Sequence, residues 1–335
     1  MKLALLCAIQ LSLPLRIWAL PVQSRAARPG PRNAHGTVYD LRDSALVLYG
    51  GATADAVRGD TWRWKAGTWR LVSLDGPGPR TFPALAYDSA RGEVVLFGGN
   101  RVLFGDSMRP TAMLGDTWVL RGDTWLRMAE AGPPQRAEAA IAHDPGRRRT
   151  VLFGGRYEVD GKTVRLGDTW EWDGSQWTRM SSSGPSPRSG AAMAYHPGLQ
   201  AVVLFGGSGG PLGDTWSWNG REWTLLPVPT APGRFNTVMA WDPSTKRLAR
   251  FGGWDGKERT SDTWELEEEG WVRFQGDRPS SRNHATMVTA ADRGSMLLYG
   301  GHDGDRVFGD LWERGHGRWR LREFTEPVAR VANGH

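Results

Sequence analysis

The feature that most constrains the fold is a single sequence pattern that occurs six times along the chain. Each copy begins with an arginine that follows a turn rich in proline and glycine, and successive arginines lie 46 to 56 residues apart. A period of this length, combined with paired glycines and paired aromatic residues, is typical of a β-propeller in which each repeat forms one blade. The six arginines are Arg32, Arg80, Arg136, Arg188, Arg234 and Arg282.

Each copy continues through a short apolar segment to a pair of glycines, and then to an aspartate two residues before a tryptophan. A second tryptophan follows seven residues after the first. The apolar segments are rich in β-branched and aromatic residues, which favours buried strands. The glycine pairs run from Gly50 and Gly51 to Gly300 and Gly301, and the tryptophan pairs run from Trp62 and Trp69 to Trp312 and Trp319.

A blade is a four-stranded sheet that cannot bury both of its faces by itself, so blades must stack and the array must close on itself. In the segment from Trp170 to Trp172, the two-residue period of a strand places both indole rings on one face. Burying one tryptophan removes about 150 to 250 Å² from water. The sequence therefore predicts that the tryptophans of the pattern pack between neighbouring blades and do not form a binding surface.

The phrases VVLFGG and LGDTW, with the tryptophan that follows them, resemble the kelch repeat. This resemblance covers residues 32–335. It implies an all-β fold, a six-bladed β-propeller of four-stranded antiparallel blades, which we assign to residues 28–335. One departure is that Trp64, Trp172 and Trp218 stand near a position where the family often has tyrosine. A larger ring in the same apolar layer leaves the predicted fold unchanged.

The first residues follow the order of a secretory signal, with Lys2, an apolar run over residues 3–15 and the small residue Ala19 at the expected cleavage point. The apolar run is shorter than the roughly 20 residues that a transmembrane helix needs. We therefore assign residues 1–27 to a signal peptide and short linker, and expect a secreted, periplasmic or cell-envelope protein with no other transmembrane segment. An uncleaved anchor and an incorrect start site remain open. Cys7 is the only cysteine, so cleavage would leave no thiol.

The sequence contains no motif for catalysis or cofactor binding that stands apart from the repeats. It has no His-Glu-x-x-His, paired-cysteine or phosphate-binding glycine motif, so we predict no cofactor and no metal site. The aspartates before the tryptophans are expected to bind backbone amides in turns. Histidines at repeat positions are expected to serve packing and hydrogen bonding. The net charge of +6 does not by itself indicate a nucleic-acid partner, since six arginines belong to the repeat.

In kelch proteins the partner-binding mouth is built from the loop after the glycine pair and from the one or two residues after the repeat's arginine. Arginines, aromatic rings and amides at these positions suit a protein segment or a glycan. Trp254 is the most informative of them because it lies outside the repeated tryptophan register. The residues that the resemblance places in this ligand-binding site are Asn33, Asn100, Arg101, Glu138, Arg156, Tyr157, Asn236, Trp254, Asp255, Asn283, His284 and His302.

The sequence thus favours an exported binding or scaffold protein that uses this mouth to bind a protein segment or glycan and catalyses no reaction. A second hypothesis is a sugar mutarotase similar to the sialic-acid (N-acetylneuraminate) epimerases. Glu138, His284, Arg101 and Arg156 would then supply the acid, the base and the cation for the sugar carboxylate. A third hypothesis is a structural propeller in a cell-envelope complex, where blade edges make the contacts.

The last residues resemble the start of a seventh repeat. Arg330 lies 48 residues after Arg282, and the letters around it are similar to those around Arg32. The segment from Arg330 to His335 either pairs into the first blade as a closing strap or remains unpaired. The sequence leaves both alternatives open, and it does not predict the oligomeric state.

Overall fold

Six four-stranded antiparallel sheets follow one another along the chain and surround a common axis. The computed structural model describes residues 27–102, 112–128, 131–181, 183–229 and 231–329. Within each sheet the four strands run in chain order from the axis to the rim, so each blade is one continuous segment. This arrangement confirms the predicted all-β, six-bladed propeller.

Each blade contains one repeat. Blades 1 to 3 contain the strands Gly36–Asp40, Ala45–Tyr49, Thr61–Lys65 and Thr68–Ser73; Ala84–Asp88, Glu93–Asn100, Met113–Arg121 and Thr124–Arg127; Ala140–Asp144, Arg149–Phe153, Thr169–Trp172 and Trp177–Ser181. Blades 4 to 6 contain Ala192–His196, Ala201–Phe205, Thr215–Trp218 and Trp223–Leu225; Val238–Asp242, Arg247–Phe251, Thr263–Glu267 and Gly270–Arg273; Thr286–Ala290, Ser295–Tyr299, Leu311–Gly315 and Arg318–Glu323. The remaining elements are the hairpin Arg156–Val159 with Lys162–Arg165, the 3-10 turn Ala291–Arg293, and the pair Arg306–Val307 with Val328–Ala329.

The innermost strands hold the ring together at the axis. Each one packs against the innermost strands of both neighbouring blades, and Gly36–Asp40 of blade 1 packs against Thr286–Ala290 of blade 6. All four strands of blade 1 come from residues 36–73, and all four strands of blade 6 come from residues 286–323. The ring therefore closes through contacts between two complete blades, without an exchanged strand among the described residues.

The arginine and the aspartate of each repeat form an ion pair within the blade. In blade 3 the guanidinium of Arg136 contacts the carboxylate oxygens of Asp168 at 2.6 and 3.0 Å, and also donates to the carbonyl of Gly154 at 2.9 Å. Nε1 of Trp170 donates to the same carboxylate at 2.7 Å. The structure corrects the expectation that these aspartates bind turn amides. Their oxygens accept from the arginine and the indole, because the planar guanidinium fork matches a carboxylate.

The second tryptophan of each repeat connects its blade to the preceding one. In blade 3, Nε1 of Trp177 donates to the hydroxyl of Thr117 in blade 2 at 2.9 Å, and the ring packs edge-to-face on Phe97 at 5.6 Å between centroids. This confirms the prediction of packing between blades, although the first tryptophan of the repeat is partly exposed in five blades. The tryptophans that contact a threonine hydroxyl and an aromatic ring in this way are Trp125, Trp177, Trp223, Trp271 and Trp319.

The interface between blades 6 and 1 departs from this pattern. Leu311 stands where the other five blades have the threonine that accepts from the indole. The ring of Trp69 still packs on Tyr299, at 5.3 Å between centroids, but its N–H has no hydroxyl opposite it. Its Nε1 donates instead to Glu323 at 2.8 Å, and Nε1 of Trp64 donates to the other oxygen of the same carboxylate at 2.5 Å. One carboxylate thus satisfies two buried indole donors at the point where the ring closes.

The described end of the chain lies beside this closing interface. Val328–Ala329 pairs with Arg306–Val307 in a loop of blade 6. Arg330 is the tail residue that resembles a repeat arginine, but Arg32 of blade 1 already occupies that place beside the loop. The amide of Arg32 donates to the carbonyl of Phe308 at 2.9 Å. The described part of the tail therefore adds no strand to blade 1, and residues 1–26 and 330–335 lie outside the described residues. Within the described ranges, no helix is both long enough and apolar enough to cross a bilayer.

Blade 5 contains one further departure from the repeat, a buried arginine. Arg250 stands in the central part of the second strand, where the other five blades have leucine. Its guanidinium is fully buried and stacks on the rings of Phe205, Trp264 and Trp271, at 4.5 to 5.3 Å from their centroids. Burial lowers its pKa to about 9. A cation on three aromatic rings therefore replaces an apolar contact between blades 4 and 5.

Replacing Glu323 by alanine should weaken the closing interface, since it leaves the buried indole donors of Trp64 and Trp69 without an acceptor. An unsatisfied buried donor costs about 1 to 3 kcal/mol, so urea unfolding should show a loss of about 2 kcal/mol or more. Adding Leu311→Thr supplies the hydroxyl that the other five interfaces use and should recover part of that loss. Glu326→Ala removes an exposed carboxylate nearby and should leave stability unchanged. Equal stability of the two alanine variants would show that this carboxylate does not hold the ring closed.

Mild acid should weaken the fold before the carboxylates titrate. Burial and then the charge of Arg32 lower the pKa of His35 to about 3, whereas a histidine in an unfolded chain titrates near about 6.5. Below that pH the unfolded chain binds a proton that the folded chain does not, so the free energy of unfolding should fall by about 2 kcal/mol from about pH 7 to 5. Urea titrations of His35→Gln should show a smaller fall than those of the parent chain or of the exposed His316→Gln. An identical fall in all three chains would contradict this assignment.

Candidate functional site

Six equivalent residues surround the axis at the end where the chain enters each blade. They stand two positions after the repeat's arginine and all have a left-handed backbone, with φ between +52° and +63°. Five of them are not glycine, although other residues rarely adopt this conformation. It persists where surrounding contacts fix it, and it is frequent at functional sites. We call these residues the collar: Ala34, Phe82, Glu138, Gly190, Asn236 and His284.

Backbone hydrogen bonds link collar residues of neighbouring blades. In each bond the amide of one blade donates to a carbonyl of the preceding blade, with N···O distances of 2.7 to 3.0 Å. The bonds form two arcs, from Phe82 to Ala34 to His284 and from Asn236 to Gly190 to Glu138. The collar is therefore a fixed frame around the axis, and all six of its residues line a small cavity there.

A cavity of about 760 Å³ opens above the collar. Its volume lies within the roughly 300 to 1,000 Å³ that is usual for ligand sites. Loops of blades 3 to 6 border it, so it lies to one side of the axis. Seven of the twelve residues predicted for the mouth line it, namely Glu138, Arg156, Asn236, Trp254, Asn283, His284 and His302. Their role in binding stays a prediction.

The other five predicted residues lie outside this cavity. Asn33 and Asn100 are buried and form backbone bridges with neighbouring loops. Asp255 accepts two amide hydrogen bonds from its own turn at 2.8 Å. Arg101 is exposed and Tyr157 is partly buried. The sequence therefore did not predict which of the six loops converge on this cavity.

A buried ion-pair cluster forms the wall of the cavity in blade 3. The guanidinium of Arg156 contacts Glu138 at 3.0 Å and Glu158 at 2.7 Å. The hydroxyl of Ser189 donates to Glu138 at 3.0 Å, and that of Thr163 donates to Glu158 at 2.8 Å. Burial alone would lower the pKa of Arg156, but the two carboxylates outweigh burial and raise it above its ordinary value. Each charged group of the cluster is thus held by an opposite charge.

Three lining residues of blade 3, Glu158, Thr163 and Arg165, were not predicted from the sequence. They lie on the hairpin that follows the glycine pair of this blade, where Tyr157 pairs with Val164 and Glu158 pairs with Thr163. Alternate residues of a strand share a face. The spacing from Arg156 to Glu158 was therefore a signal that the two side chains project together.

The opposite wall, in blades 5 and 6, joins an aromatic ring to a cation. The guanidinium of Arg259 lies 5.0 Å from the ring centroid of Trp254, and its Nε donates to the side-chain oxygen of Asn283 at 3.2 Å. Such stacking holds a partly exposed arginine in one orientation. Arg259 was not predicted either. The sequence does contain a signal for it, because the residues that form the equivalent bridge in blades 1 and 6 are the valines Val57 and Val307, and only blade 5 of these three has an arginine there.

A chain of hydrogen bonds connects this wall to the collar. The amide of Gly304 donates to Nδ1 of His302 at 3.2 Å, Nε2 of His302 lies 3.0 Å from Nδ1 of His284, and Nε2 of His284 lies 2.7 Å from the side-chain amide of Asn236. Because Nδ1 of His302 accepts a hydrogen bond from the amide of Gly304, a proton on Nε2 of the same ring would face Nδ1 of His284. The roles along the rest of the chain depend on the tautomer of His284 and the orientation of the Asn236 amide. The chain links the blade 6 loop to two collar residues.

The lining of the cavity contains charged, polar and aromatic groups, which are of the kind that orient ligands in proteins. Glu138 and His284 both line it, as the mutarotase hypothesis requires, but Arg101 does not. The carboxylate of Glu138 already accepts from Arg156 and Ser189. Within the described ranges, no group of three or more His, Cys, Asp or Glu side chains is placed to hold a metal ion.

Comparisons with known proteins agree with this architecture. Residues 10–207 and 146–314 match the family model described as the KLHDC2/KLHL20/DRC7 Kelch-repeats domain. A segment of 153 residues is 30% identical to the dynein alpha chain of the flagellar outer arm from Chlamydomonas reinhardtii. That match covers 42% of this chain and spans 3% of the length of the dynein chain, so the similarity concerns a small part of that protein.

Removing Arg156 should lower stability, whereas removing Arg165 should not. Arg156→Ala leaves Glu138 and Glu158 buried without a counter-ion, and breaking a buried pair in this way costs about 3 to 5 kcal/mol. Arg165 is exposed, so Arg165→Ala should change the free energy of unfolding by less than about 0.5 kcal/mol. Chemical denaturation of both variants measures the difference. Two equally stable variants would contradict the buried cluster.

Proposed function

This chain belongs to the kelch-repeat family of β-propellers, and from that premise we propose that it is an exported binding protein whose mouth binds a segment of a partner protein without catalysing a reaction. The observation that carries the proposal is the cavity above the collar, which combines the ring of Trp254 with the guanidinium groups of Arg165 and Arg259. Tryptophan and arginine are enriched among the residues that carry most of the binding energy at protein interfaces.

The charges of the cavity favour an acidic segment. Three arginines and two glutamates line it, and both glutamates contact Arg156. The cluster of Arg156 with its two glutamates has a net charge of −1. Arg165, which donates to the hydroxyl of Ser208 at 3.0 Å, and Arg259 bring the charge of the lining to +1. A net positive surface attracts a carboxylate-bearing partner and fixes its register. Export is part of the proposal, and the signal-like order of the first residues supports it. A secreted, periplasmic or cell-envelope protein would have such a signal.

Panning a random peptide library on the full chain should enrich peptides that carry Asp or Glu beside an apolar residue. In the Trp254→Ala and Arg259→Ala chains, calorimetry should show these peptides binding about 30-fold more weakly, since interface hot spots contribute about 2 kcal/mol or more. The loss has a simple cause, because each variant removes one half of the stacked pair that forms the wall of the mouth.

Two controls match these variants in residue type. Trp241→Ala removes a ring at the opposite end of the axis, and Arg58→Ala removes an exposed arginine from the equivalent loop of blade 1. Both should bind the enriched peptides as the parent chain does. Peptides that bind all four variants equally well would place the interaction outside the mouth, as the envelope-complex hypothesis requires.

A second candidate function is supported by the shared cavity of Glu138, Arg156 and His284. These residues would place an acid, a cation and a hydrogen-bonding imidazole around a sugar acid, as a mutarotase similar to the sialic-acid epimerases needs. Faster exchange between the anomers of N-acetylneuraminate, abolished in both Glu138→Ala and His284→Ala, would favour this function over binding alone. An unchanged exchange rate would favour binding.

A further inference from the structure

A second recessed cavity, of about 510 Å³, lies at the end of the axis opposite the mouth. We call it the far cavity. It is formed by the second halves of the six innermost strands and by the turns that follow them. The fourth residues of these strands line it in equivalent positions. Five of them are aromatic, namely Tyr39, Tyr87, His143, Tyr195 and Trp241, and the sixth is Thr289 in blade 6.

The deeper lining of the far cavity is largely apolar. The second residues of the innermost strands line both this cavity and a smaller one of about 200 Å³ at the collar. Three of the six are methionines, whose unbranched side chains adapt to ligands of different shape. The residues are Thr37, Leu85, Ile141, Met193, Met239 and Met287.

The wall of the far cavity carries no ionised side chain. Its lining contains no Asp, Glu, Lys or Arg among the described residues, although 23% of the chain is of these types. Burial lowers the pKa of His143, with Asp88 and Asp144 acting in the opposite direction, so this ring is neutral near neutral pH. A charged ligand would lose its hydration here without gaining an opposite charge. The lining therefore favours a neutral ligand.

The aromatic wall is fixed in place and offers a polar group. The ring of Trp241 packs edge-to-face on His196 at 4.9 Å between centroids, and its carbonyl accepts from the hydroxyl of Thr289 at 2.8 Å. Tyr195 is partly exposed, and burial raises its pKa, so its hydroxyl keeps its proton. That hydroxyl has no hydrogen-bond partner among the described residues and can donate to a ligand.

We propose that the far cavity is a second binding site, separate from the mouth, and that it takes a neutral, ring-bearing apolar small molecule with one polar atom within reach of Tyr195. The cavity volume matches compounds of drug-like size, and aromatic walls with few polar groups are typical of such sites. The absence of charged residues from the lining selects against anions and cations, and the aromatic rings around the axis favour a ring-bearing molecule. This site does not depend on the mouth being a partner-binding surface.

The test uses two fluorescent probes that share the same ring system and differ in charge. Titration of the full chain with N-phenyl-1-naphthylamine, which is neutral, should give an enhancement that saturates at one probe per chain. The related anion 8-anilinonaphthalene-1-sulfonate should bind at least about tenfold more weakly, a difference of about 1.4 kcal/mol. Trp241→Ala should weaken binding of the neutral probe by a similar factor, since it removes the largest ring of the wall.

Two further variants keep the result interpretable. Leu41→Asp adds a charge at an exposed lining position, so it should preserve the fold and still weaken the neutral probe. Trp254→Ala makes the same substitution as Trp241→Ala but at the mouth, and should leave the probe affinity unchanged. Loss of probe binding in Trp254→Ala, or equal binding of the two probes, would overturn the proposal. The absence of any saturable signal would overturn it too, and would leave the far cavity to an apolar side chain of a partner protein.

Discussion

The burial of one tryptophan from each blade against the preceding blade is the interaction on which the rest of the structure depends. A single four-stranded sheet exposes two apolar faces and has too little area to stand alone. The indole ring covers one of these faces, but its N–H must find an acceptor once it is buried. A threonine hydroxyl provides that acceptor at five interfaces, and the carboxylate of Glu323 provides it at the sixth. Each blade is thereby fixed in orientation as well as in distance.

Fixed blades allow the innermost strands to present different chemistry at their two ends. At the entry end, the left-handed collar positions hold polar side chains such as Glu138, Asn236 and His284 beside buried ion pairs. At the other end, the side chains of the same six strands that line the far cavity include aromatic residues and methionines, and none of them is Asp, Glu, Lys or Arg. Because the same innermost strand is repeated in six blades, its two ends form a polar site and an apolar site on one axis.

The repeat made the fold predictable from the sequence, because every blade carries the same strand, glycine and tryptophan signals. The mouth was predictable only in part. Residues equivalent in sequence, such as Asn33 and Asn283, differ in whether they face the cavity, since loop length and the extra hairpin of blade 3 decide which loops converge. The pairing of Arg136 with Asp168 joins residues 32 positions apart and could not be read from local turn chemistry. Glu323 was hidden for a similar reason, because its partners lie at the other end of the chain.

Each blade is one continuous segment, and the described ends of the chain meet at one interface, where Arg28 lies 3.9 Å from Glu323. The ring thus specifies which blades are neighbours and does not specify where the chain must start. A circularly permuted propeller, opened between blades 3 and 4 and joined by a short peptide between blades 6 and 1, keeps the same set of neighbouring blades. The architecture is therefore cyclic, and a chain that began with any of the six blades would keep the same contacts between blades.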